Sequence, residues 1–145
     1  MIALIQRVAS GRVEIDGKIV AEINNGIVAL IAVQSGDSSK IIQRIVNRLI
    51  NYRIFPDEAG IMNLSLVDIQ GELILVPQFT LLADTKKVNR PSFSDNVPVE
   101  IGKQHFEEAV TYAKQQFSNV QQGQFGEDMQ VTLTNDGPVT FWLEV

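Results

Sequence analysis

Two short segments of this 145-residue chain hold the residue types best able to do chemistry. In Val76-Pro77-Gln78-Phe79-Thr80-Leu81 an amide and a hydroxyl stand two residues apart, and on a strand that spacing puts Gln78 and Thr80 on one face. Such a face either holds a ligand between two polar groups or is the wet side of an amphipathic strand, and the pattern leaves both open. In Asn135-Asp136-Gly137-Pro138-Val139-Thr140, Gly137 lets a second chain or a ligand approach the backbone closely. The Gly137-Pro138 bond keeps a trans preference of only ~0.5–1 kcal/mol. A trans bond makes this a plain hairpin turn, whereas a cis bond lets both carbonyls point the same way.

The rest of the inventory removes most other chemistries. There is no cysteine and no G-x-S-x-G, and the single histidine is His105, so a Cys-His arrangement is excluded and a Ser-His-Asp one exists only if His105 is the base. Its neighbours Lys103, Phe106, Glu107 and Glu108 make it a surface residue of a helix. No H-E-x-x-H, histidine cluster, Walker A or G-x-G-x-x-G segment occurs, so neither a metal nor a cofactor is expected. Catalysis by this chain must then rest on main-chain dipoles, on neutral side chains such as Gln and Thr, or on the substrate itself.

Charge restricts the partners. Twelve basic against seventeen acidic residues give a net −5, which argues against a protein gripping long nucleic acid, because each neutralised phosphate needs a lysine or arginine. Locally the balance reverses: Asp84 is followed by Lys86, Lys87 and Arg90, which are either phosphate contacts or a solvated loop. The longest apolar run, Ile27 to Val33, falls far below the ~20 residues of a bilayer span, and the first residues lack a charged, then apolar, export signal. With no cysteine, a reducing, cytoplasmic setting and no membrane partner are expected.

The elements that must position these residues follow from periodicity. Met1 to Val8 reads as a strand. Arg12 to Ile23 reads as a hairpin turning at Asp16-Gly17, with Val13, Ile15, Ile19 and Ile23 buried. Ile27 to Val33 is apolar on both faces, as a central strand covered on both sides would be. Ile41, Ile42, Ile45, Val46, Leu49 and Ile50 form one helical stripe, with Asp37 or Ser38 as its cap. Tyr52 to Phe55 returns as a strand, Glu72 to Leu81 is the next, and Pro77 interrupts it. A second helix starts near Pro98 and buries Phe106, Ala109, Val110, Ala113 and Phe117. Met129, Val131 and Leu133 then alternate with polar residues, and Val139 to Val145 follows a tight loop. The prediction is one α/β domain over residues 1–145, with mostly antiparallel sheets and two main helices packed on one face in α/β/β layers. A strand ending Phe141-Trp142-Leu143 must be covered on both faces, which a second copy of the chain or the chain itself can do.

Together the residues resemble a known family, the bacterial D-aminoacyl-tRNA deacylases (D-tyrosyl-tRNA deacylase family), along the whole chain. The stretches that carry the resemblance are Met1 to Val8, Tyr52 to Phe55, Met62 to Leu64, Gln78 to Leu81, Arg90 to Ser94, Asp128 to Val131 and Asn135 to Leu143. What it implies is a homodimer with two active sites at the subunit interface. These would cleave the ester of D-aminoacyl-tRNA, and of glycyl-tRNA mischarged on tRNA-Ala. Gly137 and Pro138 match the family's cross-subunit Gly-cisPro motif, a backbone wall with no room for an L side chain. Gln78, Phe79 and Thr80 match its active-site strand, with Thr80 positioning substrate because no base can take its proton. By the same match Arg7 supports the Gly-Pro loop through backbone carbonyls, and Phe125 and Met129 enclose the terminal adenine, where periodicity alone would place both in the core. Lys86, Lys87 and Arg90 then lie near the tRNA end, and the ribose hydroxyl of the RNA assists the attack of water.

The chain departs from the family at Pro77, where serine is usual; a hydroxyl and a backbone donor are missing there. Two other readings stand beside the enzyme: a dimer that binds the same RNA without turnover, and an interaction module of the same shape for which the Gly-Pro loop is incidental.

Overall fold

The computed structural model describes residues 1–86, 88–94 and 97–145; the expectation for Lys87 lies outside them. The chain's first strand, β1 (Ile2–Ile15), is continuous through the two segments expected from the sequence. It turns at Asp16 and Gly17, both with positive φ (50° and 75°), into β2 (Lys18–Ile23). Val13 pairs with Ala21 but Glu14 pairs with Ile19, so Val20 is an unpaired bulge residue. From the bulge to the turn the side chains swap faces. Ile19 therefore shares the outer face of Glu14 and is 53% exposed, contrary to the burial expected for it, while Ala21 and Ile23 are buried.

β3 (Gly26–Ala32) is buried on both faces and lies between β1, antiparallel, and β6 (Glu72–Pro77), parallel. Only glycine fits where β3 begins, because a Cβ on Gly26 would stand 1.9 Å from the Glu72 carbonyl oxygen. The crossover from β3 to β6 carries α1 (Ser39–Ile50) and the small hairpin β4 (Phe55–Pro56) with β5 (Met62–Leu64). Tyr52 to Ile54 are thus not strand. The next crossover carries α2 (Val99–Gln116) to β7 (Val120–Gln122), which runs parallel to β6. β7 went unread because three residues, two of them Gln, show no period. β8 (Gln130–Glu144) then runs antiparallel along nearly the whole of β1.

The sheet is mostly antiparallel, with parallel pairing confined to β3-β6-β7. Both helices cover one face, where Ile42, Ile45 and Leu49 of α1 and Phe106, Ala109 and Ala113 of α2 pack on Ala3, Ile5, Ala29, Ile31 and Leu75. The opposite face of β3 and β6 is covered by the sheet itself: Val8, Val13, Ala21 and Ile23 pack on Val28, Ile74 and Val76. The three layers expected from the sequence are present, and β1 belongs to both β layers. The Gln121 side chain holds the curl by accepting from the Glu22 N–H (2.9 Å) and donating to the Glu22 carbonyl (2.6 Å), as a neighbouring strand would. Neither Asp37 nor Ser38 caps α1 through its side chain. Asp37 instead pairs with the buried Met1 ammonium and accepts the Gln34 N–H at 2.7 Å. No helix among the described residues is long and apolar enough to cross a membrane.

Candidate active site

β3 and β6 end at the same edge, and a cleft of about 500 Å3 opens there. Its size suits a nucleoside-sized ligand. Ile31, Val33, Val76 and Pro77 form its floor, the start of α2 forms one wall, and the 125–131 segment forms the other. This is the position at which α/β sheets commonly take ligands, beyond the carboxyl ends of parallel strands.

The sequence expectation that Gln78 and Thr80 share a strand face is corrected. β6 ends at Pro77, the Gln78 N–H donates the last bond to the Ile31 carbonyl (2.7 Å), and Phe79–Leu82 is a 3₁₀ turn. The turn still joins the two side chains, with Gln78 Nε2 donating to Thr80 Oγ1. Since the Gln78 N–H faces β3, strand alternation aims the nitrogen of Pro77 toward β7. The pairing with β7 stops at Leu75 and Gln122, so the proline costs the sheet no ladder bond. Gln78 and Phe79 line the cleft; Phe79 is 55% exposed and its ring lies 5.2 Å from that of Phe93. Thr80 is exposed and meets the cleft through the Gln78 amide.

Phe125 and Met129, for which a core and a ligand role stood open, are half-buried and line the cleft while touching the core from behind. Phe125 sits against the Phe106 ring (6.2 Å) and over Gly102, where a Cβ would come within 3.1 Å of its Cζ. The Met129 sulfur accepts the Gln124 N–H at 3.4 Å. Sequence reasoning missed the opposite wall, Val97, Pro98, Val99 and Gly102; the proline at the helix start was its one signal. Pro98 at the N-cap has no side chain that can cap α2, and no described side chain accepts from its first N–H groups.

The second segment forms a separate locus. Gln6 pairs with Thr140 and Val8 with Asn135, so Asp136, Gly137, Pro138 and Val139 leave the ladder opposite the single residue Arg7. The Asn135 amide closes the base of this excursion. Its Oδ1 accepts the Val139 N–H at 2.6 Å, and its Nδ2 donates to the Val139 carbonyl (3.3 Å) and to Thr140 Oγ1 (2.9 Å). Arg7 braces it from inside: Nε donates to the Asp136 carbonyl (2.8 Å) and Nη1 to the Ile54 carbonyl (2.7 Å), with the Asp136 carboxylate 3.6 Å away. Gly137 has φ +150°, and a Cβ there would lie 2.8 Å from the Val139 nitrogen, so glycine is required. The Gly137-Pro138 peptide bond is cis, and both residues are exposed at the tip.

None of residues 135–139 lines the cleft, so one chain holds the two loci apart. Lys86 and Arg90 are exposed on a segment pinned by the Asp84–Ser92 bridge, and neither lines the cleft. His105 is also absent from its walls; its Nδ1 is buried without a hydrogen-bond partner among the described residues. The cleft thus offers an apolar slot between Phe125 and Met129, one amide-hydroxyl pair, the exposed carboxylates of Glu127 and Asp128, and the main-chain N–H groups at the start of α2. Together these can bind a flat ring and stabilise a developing oxyanion.

The sequence matches the family model described as D-Tyr-tRNA(Tyr) deacylase over residues 4–144. The D-aminoacyl-tRNA deacylase of Francisella tularensis subsp. tularensis (strain WY96-3418) is 52% identical over 145 residues, all of both chains. That of Legionella pneumophila (strain Lens) is 50% identical over 144 residues, 99% of each. Among solved structures, the c-Myc DNA Unwinding Element Binding Protein superposes with a TM-score of 0.95 at 33% identity, covering 100% of this chain and 99% of that one.

Proposed function

As the chain belongs to the D-Tyr-tRNA(Tyr) deacylase family, we propose that it hydrolyses D-aminoacyl-tRNA and works as a homodimer. Water adds to the ester carbonyl, the bond to the ribose oxygen breaks, and that oxygen takes a proton, releasing D-amino acid and free tRNA. The terminal adenine lies between Phe125 and Met129, where stacking on a base is worth about 1–3 kcal/mol. The Gln78 amide, held by Thr80, orients the ester, and the start of α2 faces the charge that develops on its oxygen. The proton acceptors that line the cleft are the exposed carboxylates of Glu127 and Asp128; in this reading the neighbouring ribose hydroxyl assists the water. Lys86, Lys87 and Arg90 meet phosphates near the tRNA end, and the reaction takes place in the cytoplasm.

The observation that carries this reading is the Gly137-Pro138 excursion: closed by Asn135, braced by Arg7, exposed at its tip, and outside the lining of its own cleft. A loop built this firmly outside its own cleft fits the mouth of a partner's. There its backbone forms the wall that rejects an L side chain while ignoring what that side chain is. Glycine presents no side chain to that wall, so glycyl-tRNA, including that mischarged on tRNA-Ala, is also cleaved. The outer edge of β8, which among the described residues pairs with β1 alone, gives a second copy a place to dock. Pro77 interrupts no ladder bond, so the backbone donor missing there does not by itself favour an inactive binder.

Single-turnover deacylation of D-tyrosyl-tRNA beside L-tyrosyl-tRNA tests the proposal. Release from the D substrate alone is expected; equal release from both removes the filter, and none from either removes the enzyme. A substrate ending in 2′-deoxyadenosine should react far more slowly, and an undiminished rate overturns the hydroxyl's role.

A further inference from the structure

The exposed face of α1 carries a charge pattern that the fold itself uses only in part. Ser39–Ile50 contains no Asp or Glu, and Lys40, Arg44 and Arg48 recur every four residues, all exposed. The helix is +3 in a chain of net −5, leaving −8 for the remainder. None of the three forms an ion pair with a described residue, whereas α2 sets Lys103 against Glu107 one turn on. Like charges at this spacing disfavour a helix, and Lys40 stands in the first turn, where a cation opposes the helix dipole. Arg48, in the last turn, suits the dipole and meets the Tyr52 ring and the Glu144 carbonyl. Lys40 and Arg44 have no hydrogen-bond or ion-pair partner among the described residues, so intramolecular stability does not explain the row as a whole.

A polyanion does. Four residues of helix advance about 6 Å, so the three cations form a straight ridge about 12 Å long, a spacing suited to repeated phosphates. Arg48 is already placed, its guanidinium 5.9 Å from the centre of the Tyr52 ring and within 3.4 Å of the Glu144 carbonyl. The ridge also lies within a short span of the cleft. Lys40 follows the cleft residue Val33 by seven positions, which limits their separation to about 25 Å, and the turn between them is anchored to the Met1 ammonium through Asp37. The helix thus lies within reach of a nucleic acid whose end occupies the cleft.

Building on the reading of the substrate as aminoacyl-tRNA, we propose that Lys40, Arg44 and Arg48 are a second contact surface, holding the ribose-phosphate backbone of the tRNA behind its 3′ nucleotide. The contact is electrostatic and indifferent to sequence, as an enzyme acting on many tRNAs requires. It also places the grip outside the cleft, in a chain whose total charge opposes RNA.

The test compares the wild type with the triple variant Lys40→Gln, Arg44→Gln, Arg48→Gln, which keeps good helix formers at all three positions. Each protein is assayed on D-tyrosyl-tRNA and on 3′-(D-tyrosyl)adenosine, which lacks the tRNA body, between 50 and 200 mM salt (a range of about fourfold). The variant should lose roughly tenfold or more in kcat/KM on the tRNA, through KM, and nothing on the adenosine ester. The slope of log(kcat/KM) against log salt should flatten by about 2–3, near one unit per lost phosphate contact. Equal losses on both substrates, or an unchanged slope, overturn the proposal. Fluorescence anisotropy with uncharged tRNA decides the ridge even if the wild type cleaves neither ester, which separates its failure from that of the enzymatic reading. Unchanged tRNA affinity, with binding to phosphatidylserine vesicles lost instead, would assign the helix to a lipid surface and overturn it too.

Discussion

Asn135 holds both main-chain groups of Val139, taking its N–H at 2.6 Å and donating to its carbonyl at 3.3 Å. One side-chain amide thereby replaces the strand partner that Val139 loses where β8 leaves β1, and the four residues Asp136 to Val139 become a fixed projection. Replacing Asn135 by Ala should cost about 1–3 kcal/mol in chemical denaturation, the range for leaving partly buried backbone groups unpaired. It should also accelerate hydrogen exchange at the Val139 amide. Unchanged exchange there would show that the backbone holds the loop without the clasp.

Arg7 works from the other side through two carbonyls on different segments, those of Asp136 and Ile54. A lysine has one ammonium and cannot bridge both. Arg7→Lys should therefore lose about 1–2 kcal/mol of stability and more than tenfold in D-tyrosyl-tRNA cleavage. Wild-type kinetics in that variant would reduce the bridge to a surface contact.

Gly137 combines φ +150° with a backbone neighbour that a Cβ would meet at 2.8 Å. Gly137→Ala must reshape the tip while leaving the two cores untouched. The expected result is a melting temperature within a few degrees of wild type, since surface changes rarely exceed about 1 kcal/mol, together with loss of discrimination or turnover. A variant with full activity and full D over L selectivity would exclude the tip from the site.

Phe106 is the largest fully buried side chain and backs the ring of Phe125 in the cleft wall. Phe106→Leu, which keeps the site apolar, should cost about 1–2 kcal/mol of stability and raise KM more than it lowers kcat, as the wall behind Phe125 loosens. A change in kcat alone would argue that Phe125 serves the chemical step and not ligand binding.

The backbone N–H of Ser65, then its hydroxyl, hold the Asp68 carboxyl below the usual range. A carboxyl depressed on folding adds stability that is complete above the unfolded pKa of about 3.9 and fades as pH falls through its lower folded value. NMR titration should find Asp68 below the ordinary range, and Ser65→Ala should return it toward that range. An unshifted Asp68 in the wild-type titration would remove the bond from solution.

The local elements were legible because their causes are local. The stripe of Ile42, Ile45, Val46 and Leu49 dictates α1 wherever it is placed, and the two-faced apolar run of β3 can only be a covered strand. Where sequence reasoning failed, the deciding contact was distant or the irregularity was one residue long. A bulge at Val20 sends Ile19 outward, and the end of pairing at Pro77 puts Gln78 and Thr80 on a turn.

The sequence by itself determined the layers, the two helices, and the two segments that carry polar chemistry, since period, turn residues and composition depend on neighbours along the chain. Only the tertiary structure decided how those segments relate. Arg7 meets Asp136 across 129 residues, Phe125 faces the cleft because α2 and the end of β6 converge on it, and the Gly137-Pro138 tip stands away from that cleft. Register and sheet closure arise between elements that are far apart in sequence, and no local pattern encodes which residue will lie opposite which.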